Sequence, residues 1–546
     1  MDENINDKEY SFTMNHFSNI DLNQKLSESE SGSDNDNYNN SDSDSGSDYD
    51  SDSDSESEYE TDSEYETDSN VDQNEDQNEE NQENQDEELE DQDNIESDNS
   101  DSDSESDSDS DTEMMLIDEE DVFNTKTNGN EFYMEVLKNR YLILKKLGYG
   151  SFSSVWMAYD VENNQLVALK IINPNDYKEG ILEIQTYKKL DNLDNTYLLT
   201  MIDCFQVVPI HPKYSDKSYI EKYKQKNHIV MVLPLMACSA FDLFKCNEYL
   251  DGLPIGVCKE IVHQTLLGIK ELEKNNLMHT DLKPENILIC GLNREAEVLL
   301  KTILDIDIKN VHKTQLEKLI KENENITDDD IWLLSYKLYK EIAKTIIKFI
   351  KNDMTEIKKQ MKICKVSSKY IQDIKIKICD FNLVLDADVN LEKNVSIQTR
   401  YYRAPEILIG AGLHRKTDYW SIGCIFFELL TGDILFDPEK DSKKTRDVHH
   451  IYLIEELMGP IPKHMLDKAA YYFKLYDETG FLINVGKKIK RWELNDVFKE
   501  NYDYLTLSDK TYSNVVKFIN AALNVNPESR PSMKTMINNI KNIEEI

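Results

Sequence analysis

The sequence predicts an α+β fold behind an acidic tail. Strand patterns come first: Tyr141 to Leu147 alternates and is rich in β-branched or aromatic residues, and Gln165 to Ile172 follows as the next strand. Helical patterns come later, with apolar residues at every fourth position of 334–350 and a strongly apolar run after Asp418. Residues 1–120 contain 46 acidic residues and two lysines, whereas the remainder contains 60 acidic and 59 basic residues. The chain therefore divides into a polyanionic tail and a nearly neutral body.

Residues 1–122 form the acidic tail, in which Ser-Asp and Ser-Glu dipeptides run through 41–68 and 97–111. So few aliphatic residues cannot bury enough apolar surface to offset the entropy of the chain, so we expect disorder. Three roles stay open. The tail is a solvated arm that maintains solubility, an attractor for basic partners, or a set of acceptors for acid-directed kinases.

All eight cysteines lie in the body, and none forms a Cys-x-x-Cys pair. This pattern argues against a zinc site and against a disulfide framework. No apolar run approaches the ~18 residues that a membrane-spanning helix needs, and the chain does not open with a signal peptide. We expect an intracellular protein, cytoplasmic or nuclear, with reduced cysteines and no membrane partner.

The most informative segment runs from Met278 to Leu288 and reads Met-His-Thr-Asp-Leu-Lys-Pro-Glu-Asn-Ile-Leu. Its polar residues follow the order that phosphoryl transfer requires. Asp281 accepts a hydroxyl proton, Lys283 meets the transferred phosphate, and Asn286 holds Mg²⁺. One such triplet arises easily by chance, but eleven residues in order do not, so the segment predicts a catalytic loop.

A nucleotide site is predicted upstream of this loop. Glycines allow a hairpin to approach phosphates, because no Cβ blocks the approach and positive φ is accessible. Lys170 follows Val-Ala-Leu within the strand Gln165 to Ile172 and is expected to contact the α and β phosphates, with Glu183 as its anionic partner. Because Pro234 has no N–H, we expect Met236 to donate its backbone N–H to adenine. The glycine-rich segment comprises Leu147, Gly148, Tyr149, Gly150, Ser151, Phe152, Ser153, Ser154 and Val155.

Two further motifs follow the catalytic loop. Asp380, in Asp-Phe-Asn, is the expected second Mg²⁺ ligand, and Asn382 stands where glycine is usual. Asparagine tolerates positive φ, so we expect the turn to be preserved. Glu406 of the Ala-Pro-Glu motif is predicted to form a buried ion pair with Arg530, in a structural role.

Taken in this order, the motifs resemble the eukaryotic protein kinases. His-Thr-Asp at 279–281, Ile397 to Arg403 before the Ala-Pro-Glu, and Thr445-Arg446-Asp447 resemble the SR-protein kinases of the CMGC group. This resemblance implies a two-lobed kinase domain at 141–540, with a β-rich N-lobe at about 141–236 and a helical C-lobe at about 237–540. It also implies ATP and Mg²⁺ as cofactors and serines of Arg/Ser-rich proteins as substrates. We expect no direct binding of nucleic acid and a monomer.

A spacer at about 291–372 interrupts the predicted domain, as in that family. Leu334, Leu338, Ile342, Ile346 and Ile350 recur every four residues after a start signal at Thr327, which predicts an amphipathic helix. An exposed apolar stripe of this size would favour aggregation, so the helix is expected to dock on the kinase body.

Departures from the family keep alternatives open. Val448-His449-His450 lacks the acidic residues that the family carries after Thr-Arg-Asp, which weakens the case for long Arg-rich substrates. Thr280 replaces the arginine that reads an activation-segment phosphate in most kinases, so we expect activity without that switch. One alternative is a CMGC kinase of other specificity, for example dual Ser/Tyr activity. Another is an inactive or weak kinase-fold scaffold whose acidic tail binds basic proteins.

Overall fold

The computed structural model describes residues 132–544 except 151, 192–195, 208–227, 247, 324–325, 353, 364–365, 367, 390–396, 440–443, 486–488, 503–504 and 506. The predicted acidic tail and Ser151 of the glycine-rich segment lie outside the described residues. No described helix is both long and apolar enough to cross a membrane.

The N-terminal lobe is built on one antiparallel sheet with the strand order β1-β2-β3-β4-β6-β5. One helix, α1 (Tyr177–Leu190), follows β4 and packs against β6. Its residue Glu183 lies in the second turn of the helix. The strands are β1 (Val136–Leu137), β2 (Tyr141–Tyr149), β3 (Ser153–Asp160), β4 (Gln165–Ile172), β5 (Asp203–Val207) and β6 (His228–Pro234).

Two small sheets place the catalytic segments at the front of the C-terminal lobe. Strands β7 (Cys238–Ser239), β9 (Ile287–Ile289) and β10 (Ile376–Ile378) form an antiparallel sheet in the order β10-β9-β7. Strand β8 (Leu277–Met278) pairs with β11 (Leu385–Asp386). Because β8 and β9 flank residues 279–286, both ends of the predicted catalytic loop are fixed by backbone hydrogen bonds.

Helices of the C-terminal lobe surround α10 (Thr417–Thr431), in which every residue is buried. This helix ends at Gly432, whose φ of +80° and contact with the Leu250 carbonyl leave no room for a Cβ atom. Outside the insert, the remaining helices are α2 (Ala240–Phe244), α3 (Ile255–Lys274), α9 (Pro405–Leu408), α11 (Arg446–Met458), α12 (Lys463–Leu466), α13 (Tyr472–Leu475), α14 (Leu494–Asn501), α15 (Asp509–Ala522) and α16 (Met533–Lys541).

In the described part of the region predicted as a spacer, five helices form: α4 (Arg294–Ile306), α5 (Ile308–Glu322), α6 (Asp328–Asn352), α7 (Thr355–Ile363) and α8 (Ser368–Gln372). Helix α6 contains the predicted apolar stripe, whose five members are all buried. It begins at a capping box, in which Asp330 N donates to Thr327 Oγ1 and Thr327 N donates to Asp330 Oδ2.

Helix α6 docks against β1 and β2 of the N-terminal lobe, as predicted. Polar contacts supplement the apolar face: Tyr336 and Lys340 contact the Glu135 carboxylate at 2.5 and 2.7 Å. A third contact joins Lys145 of β2 to Glu295 of α4 at 2.5 Å. The insert thus covers the outer strands of the N-terminal sheet. The prediction of a single helix understated the helical content of the insert, because α4 and α5 also form.

Candidate active site

The backbone of residues 279–281 is held by a buried carboxylate at the start of α10. Asp418 accepts hydrogen bonds from His279 N at 2.8 Å and Thr280 N at 2.9 Å. Thr280 has a φ of +64°, which is strained for a β-branched residue. Burial raises the pKa of Asp418, and the two N–H donors act in the opposite direction. Asp418 therefore positions the loop and has no direct part in the chemistry.

His279 links this loop to the segment that carries Asp380. Its Nε2 lies 3.0 Å from the Cys379 carbonyl oxygen, and its Nδ1 lies 3.3 Å from Asp281 N. A carbonyl can only accept and an N–H can only donate, so the ring is the neutral tautomer with its proton on Nε2. The imidazole thereby fixes the spacing between the two carboxylate-bearing segments.

Asp281 and Lys283 converge on Thr399 of the activation segment. Asp281 Oδ1 accepts from Thr399 N at 3.0 Å and from Thr399 Oγ1 at 2.7 Å. Lys283 Nζ lies 3.1 Å from Thr399 Oγ1 and 3.3 Å from Asp281 Oδ2. Asn286 Nδ2 donates to the Asp281 carbonyl at 2.9 Å. A carboxylate, an ammonium group and an amide thus share one small volume.

Lys170 joins the two lobes electrostatically. Its Nζ lies 2.8 Å from both Glu183 Oε1 and Asp380 Oδ1, so the predicted pair with Glu183 is present and Asp380 completes a triad. Burial disfavours the charged lysine, but the two carboxylates outweigh it and raise the pKa of Lys170. Burial likewise opposes ionisation of Asp380, but Lys170 and Lys283 keep its pKa below the usual range.

Phe381 is fully buried between α1 and the catalytic loop. Its ring makes edge contacts with Tyr187 at 5.1 Å and with His279 at 5.8 Å. The positive φ of this turn belongs to Asp380, at +64°, and not to Asn382. The reason that we gave for tolerating Asn382 was therefore wrong, because the strain falls one position before Phe381. The Asn382 Oδ1 atom is buried without a hydrogen-bond partner among the described residues.

The activation segment is held by uncharged and cationic side chains together. Gln398 donates to Ser421 Oγ at 2.8 Å and accepts from Ala404 N at 2.9 Å. The Arg403 guanidinium donates to the carbonyl oxygens of Ile397 and Gln398. These contacts fix residues 397–404 without a phosphate group.

The predicted Glu406–Arg530 ion pair is present and is bidentate, with N–O distances of 2.6 and 2.7 Å. Both side chains are almost completely buried. Arg530 also donates to the carbonyls of Lys416 and Asn524, so the pair ties the activation segment to α10 and to the C-terminal helices.

The glycine-rich segment forms the hairpin between β2 and β3, where Gly150 N donates to Ser153 O at 2.8 Å. A Cβ atom at Gly150 would meet open space, and neither Gly148 nor Gly150 has a positive φ. The glycines therefore leave room for a close ligand, and the turn does not require their conformational freedom. Met236 lies in the connection between β6 and β7.

Three residues of the site were missed by sequence reasoning. Thr399 and Gln398 appeared only within a segment quoted for family resemblance, and Asp418 only as the start of an apolar helix. A buried Asp at the head of an otherwise apolar helix was the available signal, because such a charge requires donors.

Comparison with known proteins agrees with this geometry. The family model for the protein kinase domain matches residues 141–361 and 308–540. A serine/threonine-protein kinase SRPK of Physarum polycephalum is 28% identical, over 71% of this chain and 85% of its own length. Protein kinase dsk1 of Schizosaccharomyces pombe is 26% identical, over 75% and 81%. A putative serine/threonine-protein kinase L205 of Acanthamoeba polyphaga mimivirus is 26% identical, over 74% and 87%.

The chain belongs to the protein kinase family. The relatives are serine/threonine kinases and include SR-protein kinases, so the resemblance to that branch of the CMGC group is confirmed, as is the assignment as a serine/threonine protein kinase.

Proposed function

We propose that the protein transfers the γ-phosphoryl group of ATP to serine or threonine hydroxyls of basic proteins. The observation that carries this proposal is the convergence of Asp281 and Lys283 on one polar volume, which the Thr399 hydroxyl now contacts. Asp281 accepts the hydroxyl proton of the substrate, and Lys283 neutralises negative charge on the transferred group.

We assign the nucleotide to the cleft between the glycine-rich hairpin and the catalytic loop. The open space beside Gly150 would admit phosphates, Lys170 would contact them, and the backbone N–H of Met236 would donate to adenine. Asn286 and Asp380 would hold Mg²⁺ through an amide oxygen and a carboxylate oxygen, which are ligands that this ion prefers. Mg²⁺ would screen the charge of the phosphates. Glu183 keeps Lys170 directed toward them.

Two carboxylates near the catalytic loop support cationic substrates. Glu285 Oε2 is buried without a hydrogen-bond partner among the described residues, and burial raises the pKa of this residue. Glu428 Oε2 accepts from the Tyr402 hydroxyl at 2.7 Å, and burial raises its pKa to about 8. The Glu285 carboxylate adds to the effect of burial in raising the pKa of Glu428, so an arginine side chain bound at Glu285 would relieve this repulsion. Arg/Ser-rich segments supply such residues.

We also propose that the enzyme is active without phosphorylation of its activation segment. No cation occupies position 280, and Gln398 with Arg403 already holds the segment in place. Phosphatase treatment of the purified protein should therefore leave its activity unchanged. None of the seven described cysteines forms a disulfide, which supports a reducing cytoplasmic or nuclear compartment.

The test compares an Arg/Ser peptide with a peptide in which arginine is replaced by alanine. Glu285→Gln should raise the KM of the arginine peptide about tenfold, because a charge-assisted hydrogen bond contributes ~1.5 to 3 kcal/mol. The KM of the alanine peptide should not change. The matched control is Glu439→Gln, an exposed carboxylate. Equal kcat/KM for both peptides with wild-type enzyme would reject the basic substrate class, while phosphorylation of both would leave the kinase assignment intact.

A further inference from the structure

A cavity of about 330 Å³ lies in the C-terminal lobe, beside the strand that leads into the catalytic loop. Its apolar wall consists of Leu277 and Met278 of β8, Ala387 after β11, and Met533 of α16. It opens to solvent beside Ser532, which is exposed. Ligand sites in proteins occupy ~300 to 1,000 Å³, so the cavity has room for one small molecule. None of these residues is among those assigned to the nucleotide, to Mg²⁺ or to catalysis.

The same cavity is lined by charged groups of both signs. Glu273 Oε1 accepts a hydrogen bond from the Tyr419 hydroxyl at 2.5 Å, and this carboxylate forms no ion pair with the described residues. Burial raises the pKa of Glu273, whereas the positive charges of Arg415 and Lys416 act in the opposite direction. The carboxylate and the two cations therefore lie close enough to influence one another across this small volume.

Both cations keep positive charge available to a ligand. Lys416 Nζ donates to the carbonyl oxygens of Glu528 and Arg530 at 3.0 and 2.5 Å, and these neutral groups do not cancel its charge. Arg415 pairs with Asp388 at 2.5 Å, but both side chains are exposed, so water weakens the pair. A guanidinium group has five N–H donors, so a second carboxylate can share it.

We propose that the cavity binds a free amino acid with a large apolar side chain, such as phenylalanine or leucine. Its ammonium group would contact Glu273, its carboxylate would contact Arg415 and Lys416, and its side chain would pack on Met278 and Met533. Glu273 would repel a ligand that carries only a negative charge, and the two cations would repel one that carries only a positive charge. A ligand with both charges beside an apolar group is complementary to the whole cavity.

The bound amino acid would contact both elements that position the catalytic loop. Met278 directly precedes His279, and Tyr419 follows Asp418, whose carboxylate holds the loop backbone. Binding would therefore restrain residues 277–281 from outside the nucleotide cleft. This inference does not depend on the proposed substrate class, because the cavity residues have no part in it.

Isothermal titration calorimetry of the full-length protein measures this binding. L-Phenylalanine should bind about tenfold more tightly than phenylpropionate, which lacks the ammonium group, or phenethylamine, which lacks the carboxylate. The reason is that each analogue loses a charge-assisted hydrogen bond and leaves a charge of the cavity without its partner. Saturation with L-phenylalanine should also slow amide hydrogen exchange in residues 277–281.

Two variants separate this site from adventitious binding. Ala387→Phe fills the cavity and should abolish binding, whereas Ala469→Phe, at another partly exposed alanine, should not. Glu273→Gln keeps an acceptor for Tyr419 but removes the negative charge. It should weaken the binding of L-phenylalanine about tenfold and strengthen that of phenylpropionate, a reversal that partial unfolding would not produce.

Three results would overturn the proposal. The first is no binding of L-phenylalanine or L-leucine at millimolar concentrations by the wild-type protein. The second is equal affinity for L-phenylalanine and its two analogues, and the third is binding that survives Ala387→Phe.

Discussion

The catalytic loop and helix α6 of the insert are built on opposite principles. The loop buries polar groups, places Thr280 at a φ of +64°, and is held by side-chain hydrogen bonds to Asp418. Helix α6 is regular, capped at Thr327, and buries aliphatic residues on one face. Backbone strain and buried charge are retained in the loop, where the chemistry requires them. The insert needs only a periodic pattern of apolar residues to form its helix and bury one face. Substitutions in the loop should therefore affect rate, and substitutions in the insert should affect stability.

The largest effect is expected at Asp281. Asp281→Asn keeps the shape and the contacts with Thr399 but removes the proton acceptor, so kcat should fall by about 10³-fold. The melting temperature should change little, because Lys283, which loses its ion pair with Asp281, keeps its contact with Thr399 Oγ1. Steady-state kinetics and calorimetry of the full-length protein measure both quantities. Wild-type rates on any serine peptide would contradict the role of Asp281, and the Glu439→Gln variant serves as an isosteric control.

This asymmetry also explains how far sequence reasoning reached. Lys170, Glu183, Asp281 and Asp380 were identified because phosphoryl transfer needs those groups in that order. The structure joins Lys170 to Glu183 and Asp380, and it pairs Asp281 with Lys283. Backbone strain has no such signature, so the positive φ was assigned to Asn382 when it belongs to Asp380.

The insert shows the opposite limit. The period of its apolar residues predicted α6 and its start at Thr327, because a long stripe is a strong signal. Helix α4 carries a similar signal in Ala296, Leu299 and Ile303, which are buried, and it was overlooked. The surface that α6 covers could not be predicted, since the pattern identifies a buried face but not its partner.

A large effect on stability alone is expected at Arg530, which is buried like the catalytic residues but lies outside the chemistry. Arg530→Ala leaves Glu406 buried without its cation, so the free energy of unfolding should fall by about 3 to 5 kcal/mol. Below its melting temperature the variant should keep a kcat near wild type. Denaturant unfolding with parallel kinetics provides the measurement.

The control for Arg530 is the double variant Glu406→Gln/Arg530→Met. It removes both charges, so it should be destabilised less than Arg530→Ala. A rate loss comparable to that of Asp281→Asn would instead place this pair within the catalytic machinery.

An intermediate effect is expected in the insert. Leu338 is fully buried, so Leu338→Ala should lower stability by about 2 to 5 kcal/mol, through lost burial and a cavity. Leu333→Ala, on the exposed side of the same helix, should cost less than ~0.5 kcal/mol. Neither should change kcat. Thermal unfolding of both variants measures the two changes in stability. Equal changes would show that the docked face of α6 stabilises the protein no more than its exposed face does.

The smallest expected effect is a difference between the insert and the catalytic loop in how their local stability depends on pH. His312 of α5 stacks on Tyr339 of α6 at 3.7 Å, and burial lowers its pKa. The unfolded insert therefore binds a proton more readily than the folded one, so the stabilising contribution is present above pH ~6.5 and declines as the pH falls. Amide hydrogen exchange in α5 and α6, corrected for its intrinsic pH dependence, should accelerate between pH 7.5 and 5.5 more than in residues 279–286. His312→Gln should reduce that acceleration, whereas His464→Gln, at an exposed site, should not. If the His312 variant accelerates as much as wild type, protonation elsewhere controls the insert, and the two regions do not differ in their response to acid.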